Sequence, residues 1–286
     1  MDAPTAGVLR DITLLVWLAL LIGIAAYKWV RQTRPESGWN WSGRVDARPY
    51  LSMDAIVVAA ISILLLGGLQ QAVPGSADAP AAEAAESIVE LSAGSMFLNI
   101  MVQLMICAVL LFYLRGLRNL NPVEIFGLTQ LRPAQIVGTA LVFMLPTFFL
   151  VMGASAGINV WMQEFWPNLG QQDSVEAFRR SHDPLAKTLL VIAAVVIAPI
   201  VEETIFRGFI YGVIKRFTDS FFAALCSALL FAVVHFHMGS LIPLALLALI
   251  FCAAYERTGS LAVPMLMHGF FNGTSIALML LFPDMK

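Results

Sequence analysis

Charge is the first thing this chain lacks. Only 13% of its 286 residues are Asp, Glu, Lys or Arg, while 59% are hydrophobic. A soluble domain carries about 25% charged and about 45–50% apolar residues. That deficit excludes an ordinary water-soluble core and points to the bilayer as the solvent. The net charge is only −2, so no basic surface offers itself to phosphates and no nucleic-acid partner is expected. Cysteine is also scarce. Cys107, Cys226 and Cys252 all lie inside apolar runs, with no CxxC pair and no Cys/His cluster. Neither a disulfide framework nor a cysteine-built metal site is expected from that pattern, and the three read as small packing residues. HExxH is absent as well, so the sequence demands no zinc and no cofactor.

What the chain does have is long apolar runs. A helix of roughly 17–25 apolar residues can cross a bilayer, and about eight stretches qualify: 12–30, 53–73, 96–114, 135–157, 188–213, 219–236, 240–255 and 260–282. The expected fold is all-α, a polytopic transmembrane helical bundle. The first stretch exceeds the ~7–15 apolar residues of a signal peptide. Its basic residues, Lys28, Arg31 and Arg34, fall at or beyond its end, so it reads as a retained span. The protein is expected to be integral and multi-pass; in a bacterial cell that means the inner membrane.

Lys and Arg mark cytoplasmic connections. The first connection carries Arg31, Arg34, Arg44 and Arg48; the second, Pro74–Ser95, has Asp78, Glu83, Glu86 and Glu90 but no basic residue; the third has Arg115, Arg118 and Arg132. This basic–acidic–basic order predicts an outside N-terminus with the first and third connections in the cytoplasm. Pro74–Ser95 reads as an external loop. Asn159–Ala186, with Trp161, Phe165 and Trp166, suits an interfacial segment.

The early spans hold few polar groups beyond Asp54, Asn99 and Gln103; nearly all the others fall late in the chain. Residues 1–184 therefore read as N-terminal spans, about four of them, and residues 185–286 as a chemically loaded core of about four helices. Ionisable groups cost ~2.5–3.5 kcal/mol each inside a span on insertion scales, and persist where they face partners or a wet cavity. Here they form three clusters. In the first, Glu202 and Glu203 sit in a helical run that ends at Arg207. Adjacent helical positions point about 100° apart, so the two carboxylates cannot share a role. Glu203 and Arg207 can pair at i,i+4, leaving Glu202 to face elsewhere. Pro199, just before the pair, should distort the helix and free a backbone carbonyl. The second cluster is Phe231-xxx-His235, and the third His268-xxx-Asn272. A carboxylate beside an imidazole can hold and deprotonate water, and imidazole and amide N–H groups can stabilise an oxyanion. Together these are the parts of a water-attacking hydrolase.

Each cluster alone has a plainer reading. A Glu–Arg pair is more often a structural clasp, and a membrane imidazole is as often a helix–helix hydrogen bond. His237 reads as interfacial, Tyr255-Glu256-Arg257 as a turn at the membrane surface, and Met265 and Met267 as packing. The weight lies in the three clusters occurring in one chain.

Those clusters resemble the signature of the CPBP (ABI) family of intramembrane proteases, which includes the type II CAAX prenyl endopeptidases: EExxxR, FxxxH and HxxxN on separate helices. They stand here as Glu202-Glu203-xxx-Arg207, Phe231-xxx-His235 and His268-xxx-Asn272, flanked by Phe206-Arg207-Gly208 and Thr258-Gly259-Ser260-Leu261. The resemblance covers about residues 185–282. It implies a glutamate-dependent endopeptidase acting on a membrane-associated protein or peptide, prenylated ones among them. In that pattern Glu202 and His235 would prepare the water, His268 and Asn272 would stabilise the tetrahedral intermediate, and Glu203 and Arg207 would orient the site. The alternatives are a zinc enzyme using Glu202, His235 and His268, a non-catalytic immunity or scaffold protein of the same family, and a proton-coupled transporter, for which no inverted repeat is visible. One tension stands in this reading: the span boundaries put His235 near the end of its helix, while Glu202 lies mid-depth. Either that helix starts after Phe221, or the turn that follows dips into the bundle.

Overall fold

The computed structural model describes residues 43–72, 92–165, 181–235 and 237–282, with scattered positions between 25 and 33 and between 175 and 179. The expected first span and most of the Pro74–Ser95 loop lie outside the described residues. So does part of the Asn159–Ala186 segment.

The protein is a helical membrane bundle, and no strand occurs among the described residues. The helices are α1 (Ser52–Ala72), α2 (Ala93–Leu117), α3 (Pro133–Phe165), α4 (Pro184–Phe217), α5 (Ser220–Val233), α6 (Leu241–Thr258) and α7 (Ala262–Leu281). Five of these, α2, α3, α4, α6 and α7, are long and apolar enough to cross a membrane; Ser52–Leu65 and Ser220–Val233 form shorter apolar helices. The described residues thus give five such helices where about eight spans were expected.

Local chemistry starts and stops the helices. Ser92 opens α2 with a capping box shared with Ser95, and Asp183 caps α4 through the N–H groups of Leu185 and Ala186. Asp219 accepts from Phe222 N–H at the start of α5. Such caps satisfy backbone donors that the helix itself leaves orphaned. α6 ends at Gly259, whose φ of 71° is a left-handed conformation that a Cβ would disfavour. Gly127 has a φ of 62° and packs directly on the Gly259 carbonyl. Beside them Leu261 N–H donates to Phe126 O at 2.9 Å, and a Cβ on Gly208 would meet the Phe126 ring at 2.9 Å. Both flanking motifs of the sequence therefore dock on one loop.

α5 has 14 residues, roughly 21 Å of helix at ~1.5 Å per residue, short of a ~30 Å hydrocarbon layer. It starts at Ser220, and His235 follows in the turn. His235 nevertheless lines the same cavity as Glu202, so the helix does not start after Phe221 and the turn brings the imidazole to the carboxylate's site.

The core joins early and late elements. Val45, Tyr50, Val58 and Leu114 pack in one cluster with Phe206, Phe209, Phe231, Cys252 and Leu261. A second cluster gathers Ala140, Met144 and Val151 of α3 against α6 and α7, including Met267. All three cysteines are free and buried. Asp54 accepts from Arg118 Nε at 2.8 Å and from Tyr113 Oη at 2.6 Å, fastening α1 to the end of α2.

Candidate active site

The site is built around an irregular stretch of α4. Residues Ala193–Ile197 are π-helical, and Ala198 N–H donates to Ala193 O, five residues back. In that register the next donor, to Ala194 O, would be residue 199. That residue is Pro199 and has no N–H, so the Ala194 carbonyl is released, as the sequence predicted for a carbonyl near this proline. Asn272 takes it up: its Nδ2 donates to Ala194 O at 2.8 Å. One turn earlier on α7, a Cβ on Gly269 would stand 2.7 Å from the Val195 carbonyl oxygen. Glycine is what allows α7 to lie against the distorted turn. A second π-helical stretch, Thr204–Tyr211, follows the two glutamates. π-Bulges of this kind often mark functional sites.

The two carboxylates diverge as helical geometry requires. Glu203 is fully buried, and its Oε1 accepts from Arg207 Nη1 at 2.8 Å and from His268 Nδ1 at 2.9 Å. Arg207, also fully buried, lies between two rings, with Cζ 4.3 Å from the Phe231 centroid and 5.3 Å from that of Phe251. Cation–π contact of this kind strengthens where water is excluded. Glu202 keeps 26% of its side-chain surface exposed, and its Oε2 lies 3.9 Å from His268 Nε2. That gap is too long for a direct hydrogen bond and suits a bridging water. Among the described residues Glu202 Oε2 receives no hydrogen bond.

The histidines are held by their other ring nitrogens. His235 Nδ1 donates to Phe231 O at 2.7 Å, turning Nε2 outward. With Nδ1–H of His268 committed to Glu203, Nε2 is what that ring directs toward Glu202. Phe231 is the common neighbour of these groups, with ring centroids 4.6 Å from His235 and 6.0 Å from His268. Glu202, His235, His268 and Asn272 all line one cavity of about 580 Å³, while Glu203 and Arg207 stand behind it. All six residues singled out in the sequence therefore gather at one place. Among the described residues no group of three His, Cys, Asp or Glu is arranged to hold a metal.

Sequence reasoning missed the aromatic packing. Phe251 lies 5.5 Å from the His268 ring, yet nothing separates it in sequence from any apolar span residue. It also misread Tyr255-Glu256-Arg257. These residues form the last turns of α6, with Tyr255 and Glu256 buried and only Arg257 exposed. Glu256 Oε1 accepts from Tyr211 Oη and Lys215 Nζ, and Lys215 also donates to Val45 O at 2.9 Å. A buried carboxylate is stable there because a cation and a phenol meet it. His237, read as interfacial, bonds Ser240 Oγ through Nδ1 at 2.9 Å.

The described helices form a membrane bundle that encloses a cavity lined by a carboxylate, two imidazoles and an amide. Comparison with known proteins shows what the chain is similar to. Residues 184–274 match the family model described as "Type II CAAX prenyl endopeptidase Rce1-like". The chain is also 29% identical over 148 residues to "Putative membrane peptidase YdiL" of Bacillus subtilis (strain 168), a match covering 51% of this chain and 59% of that protein. No solved structure matches. Residues 184–274 are thus similar to the CAAX-type membrane proteases, and the chain spans under two thirds of the length of the curated relative it matches.

Proposed function

We propose that this protein is an intramembrane endopeptidase that hydrolyses a peptide bond of a membrane-associated or lipidated protein or peptide, using water activated by Glu202. The observation that carries this reading is the convergence of Glu202, His235, His268 and Asn272, from two helices and one turn, on a single cavity. The helices from about residue 185 onward form the catalytic core, and the spans up to residue 184 frame the path of the substrate.

The chemistry follows from which atoms are free. Water lies between Glu202 and the outward Nε2 of His235. Its oxygen attacks the scissile carbonyl carbon as its proton passes to the Glu202 carboxylate. The oxyanion takes hydrogen bonds from the second Nδ2–H of Asn272, the first being held by Ala194 O, and from His268 Nε2–H in the imidazolium form. That form places its charge between Glu202 and Glu203. Glu202 then returns the proton to the leaving amine, the C–N bond breaks, and the products are a carboxylic acid and an amine, which part as carboxylate and ammonium once the acid's proton passes to the amine. Glu203 and Arg207 act through His268 and do not touch the substrate.

The test uses purified protein in detergent and two fluorogenic peptides of equal length, one farnesylated near its C-terminus and one a plain transmembrane sequence. Glu202→Gln keeps size and fold and should lower turnover by roughly 10²–10⁴, the span of general-base contributions. Asn272→Ala should cost on the order of 10²–10³, as for other oxyanion donors. Near wild-type turnover in both variants would overturn the glutamate mechanism. Comparing the two peptides reads whether a prenyl group is recognised.

A further inference from the structure

Two polar side chains in the same cavity lie outside the catalytic cluster and outside the family match. Asn99 and Gln103 stand on α2, a span whose stretch from Met96 to Phe112 is otherwise apolar apart from Cys107. They are spaced i,i+4, so both face one way, and Gln103 Nε2 donates to Asn99 Oδ1 at 2.6 Å. α2 packs along α4, the helix that carries Glu202. The mutual bond uses one donor and one acceptor of the pair. Asn99 Nδ2 keeps its donors, and Gln103 Oε1 accepts nothing from the described residues although its own atom is buried. The pair therefore brings to the cavity wall a donor on Asn99 and, enclosed beside it, an acceptor on Gln103 that is unpaired among the described residues. That pattern is the complement of a peptide group, which offers one C=O and one N–H.

A substrate segment has to lose its helical hydrogen bonds before its scissile bond can reach a catalytic carboxylate. Each backbone group freed inside a membrane costs several kcal/mol unless the protein meets it. We infer that Asn99 and Gln103 form a backbone-binding subsite that holds an unwound peptide group of the substrate flanking the scissile bond: Asn99 Nδ2–H donates to its carbonyl, and Gln103 Oε1 accepts its N–H once the amide turns toward the cavity. The inference rests on the endopeptidase reading. It assigns α2 a part in recognising the main chain rather than a side chain, so the contact selects for an extended segment and not for a particular residue.

The experiment compares wild type with Asn99→Ala, Gln103→Ala and the double variant on the two peptides above. A set of analogues is included in which single backbone amides within four residues of the scissile bond are replaced by esters. An ester keeps the chain but removes the N–H. The double variant should raise KM about three- to tenfold, as expected for one or two neutral hydrogen bonds, with kcat changed less than about twofold because binding alone is lost. One ester position should raise the wild-type KM by a similar factor and have no further effect in Gln103→Ala. A merely structural amide pair would not produce that non-additivity. Thermal unfolding in the same detergent checks that each variant is folded. If KM is unchanged, or every ester acts equally in wild type and Gln103→Ala, the subsite is wrong while loss of turnover in Glu202→Gln still upholds the hydrolase. If neither peptide is cleaved by wild type, both readings fall together.

Discussion

The early and late helices differ in what surrounds them. In α2 and α3, 22% of the most apolar stretch is buried against protein, whereas in α4 the share is 39% and in α6 it is 50%. Large apolar side chains stand outward along α3, with Val142 73% and Phe149 69% exposed. The buried polar residues show the opposite bias. Asp54, Ser62 and Thr147 are the early ones, while the late helices bury Glu203, Arg207, Glu256, Ser260 and His268 among others. In lipid, apolar exposure costs nothing, so α2 and α3 can be hydrophobic on nearly every face. Charge survives only where other protein encloses it, and apart from Asp54 with Arg118 that happens where α4, α5, α6 and α7 meet. The same enclosure that makes a carboxylate tolerable also makes it chemically useful, because electrostatic interactions strengthen when water is excluded.

Breaking the enclosure should reveal this difference most strongly at Glu203. Glu203→Gln leaves the buried Arg207 guanidinium without its carboxylate, which costs ~3–5 kcal/mol in comparable pairs. It also releases Nδ1 of His268. The expected result is a large fall in unfolding temperature together with lost turnover, whereas Glu202→Gln loses turnover with the unfolding temperature kept. A folded, inactive Glu203→Gln beside an active Glu202→Gln would reverse the roles given to the two carboxylates.

A smaller effect is expected at the contact between α7 and the distorted turn of α4. Gly269→Ala places a methyl against the Val195 carbonyl. Overpacking of this kind costs ~1–3 kcal/mol, and it pushes Asn272 away from Ala194 O. Both thermal stability and kcat should drop. An unchanged kcat would show that the position of α7 does not set the geometry of Asn272.

The smallest effect belongs to the lipid-facing side. Val142→Ala removes methyl groups that touch no core, so the unfolding free energy in detergent or bicelles should move by less than about 0.5 kcal/mol. A larger loss would show that α3 presents that face to protein, and the contrast between the two regions would have to be redrawn.

The membrane class, the bundle and the six polar residues that gather at the cavity were legible without coordinates, because each rests on local statistics. An apolar run of sufficient length needs no partner to be recognised, and a charge inside such a run is conspicuous whatever it contacts. The i,i+4 spacing of Glu203 and Arg207 likewise lies within one helix, and the structure realises it at 2.8 Å. Pro199 announced a broken helical bond by its missing N–H alone.

Tertiary structure decided the rest. Nothing in the chain says that Asn272, far along the sequence, supplies the donor for Ala194 O. Nor does it say that His268 shares the Glu203 oxygen with Arg207, or that Phe231 and Phe251 flank the guanidinium. Span counting by hydropathy also placed Glu256 at a membrane-surface turn, when Tyr211 and Lys215 bury it. The physical reason is the same in each case. Hydropathy and spacing measure what a residue would cost in lipid, and whether that cost is met depends on donors and acceptors brought up from other helices, whose register only packing fixes.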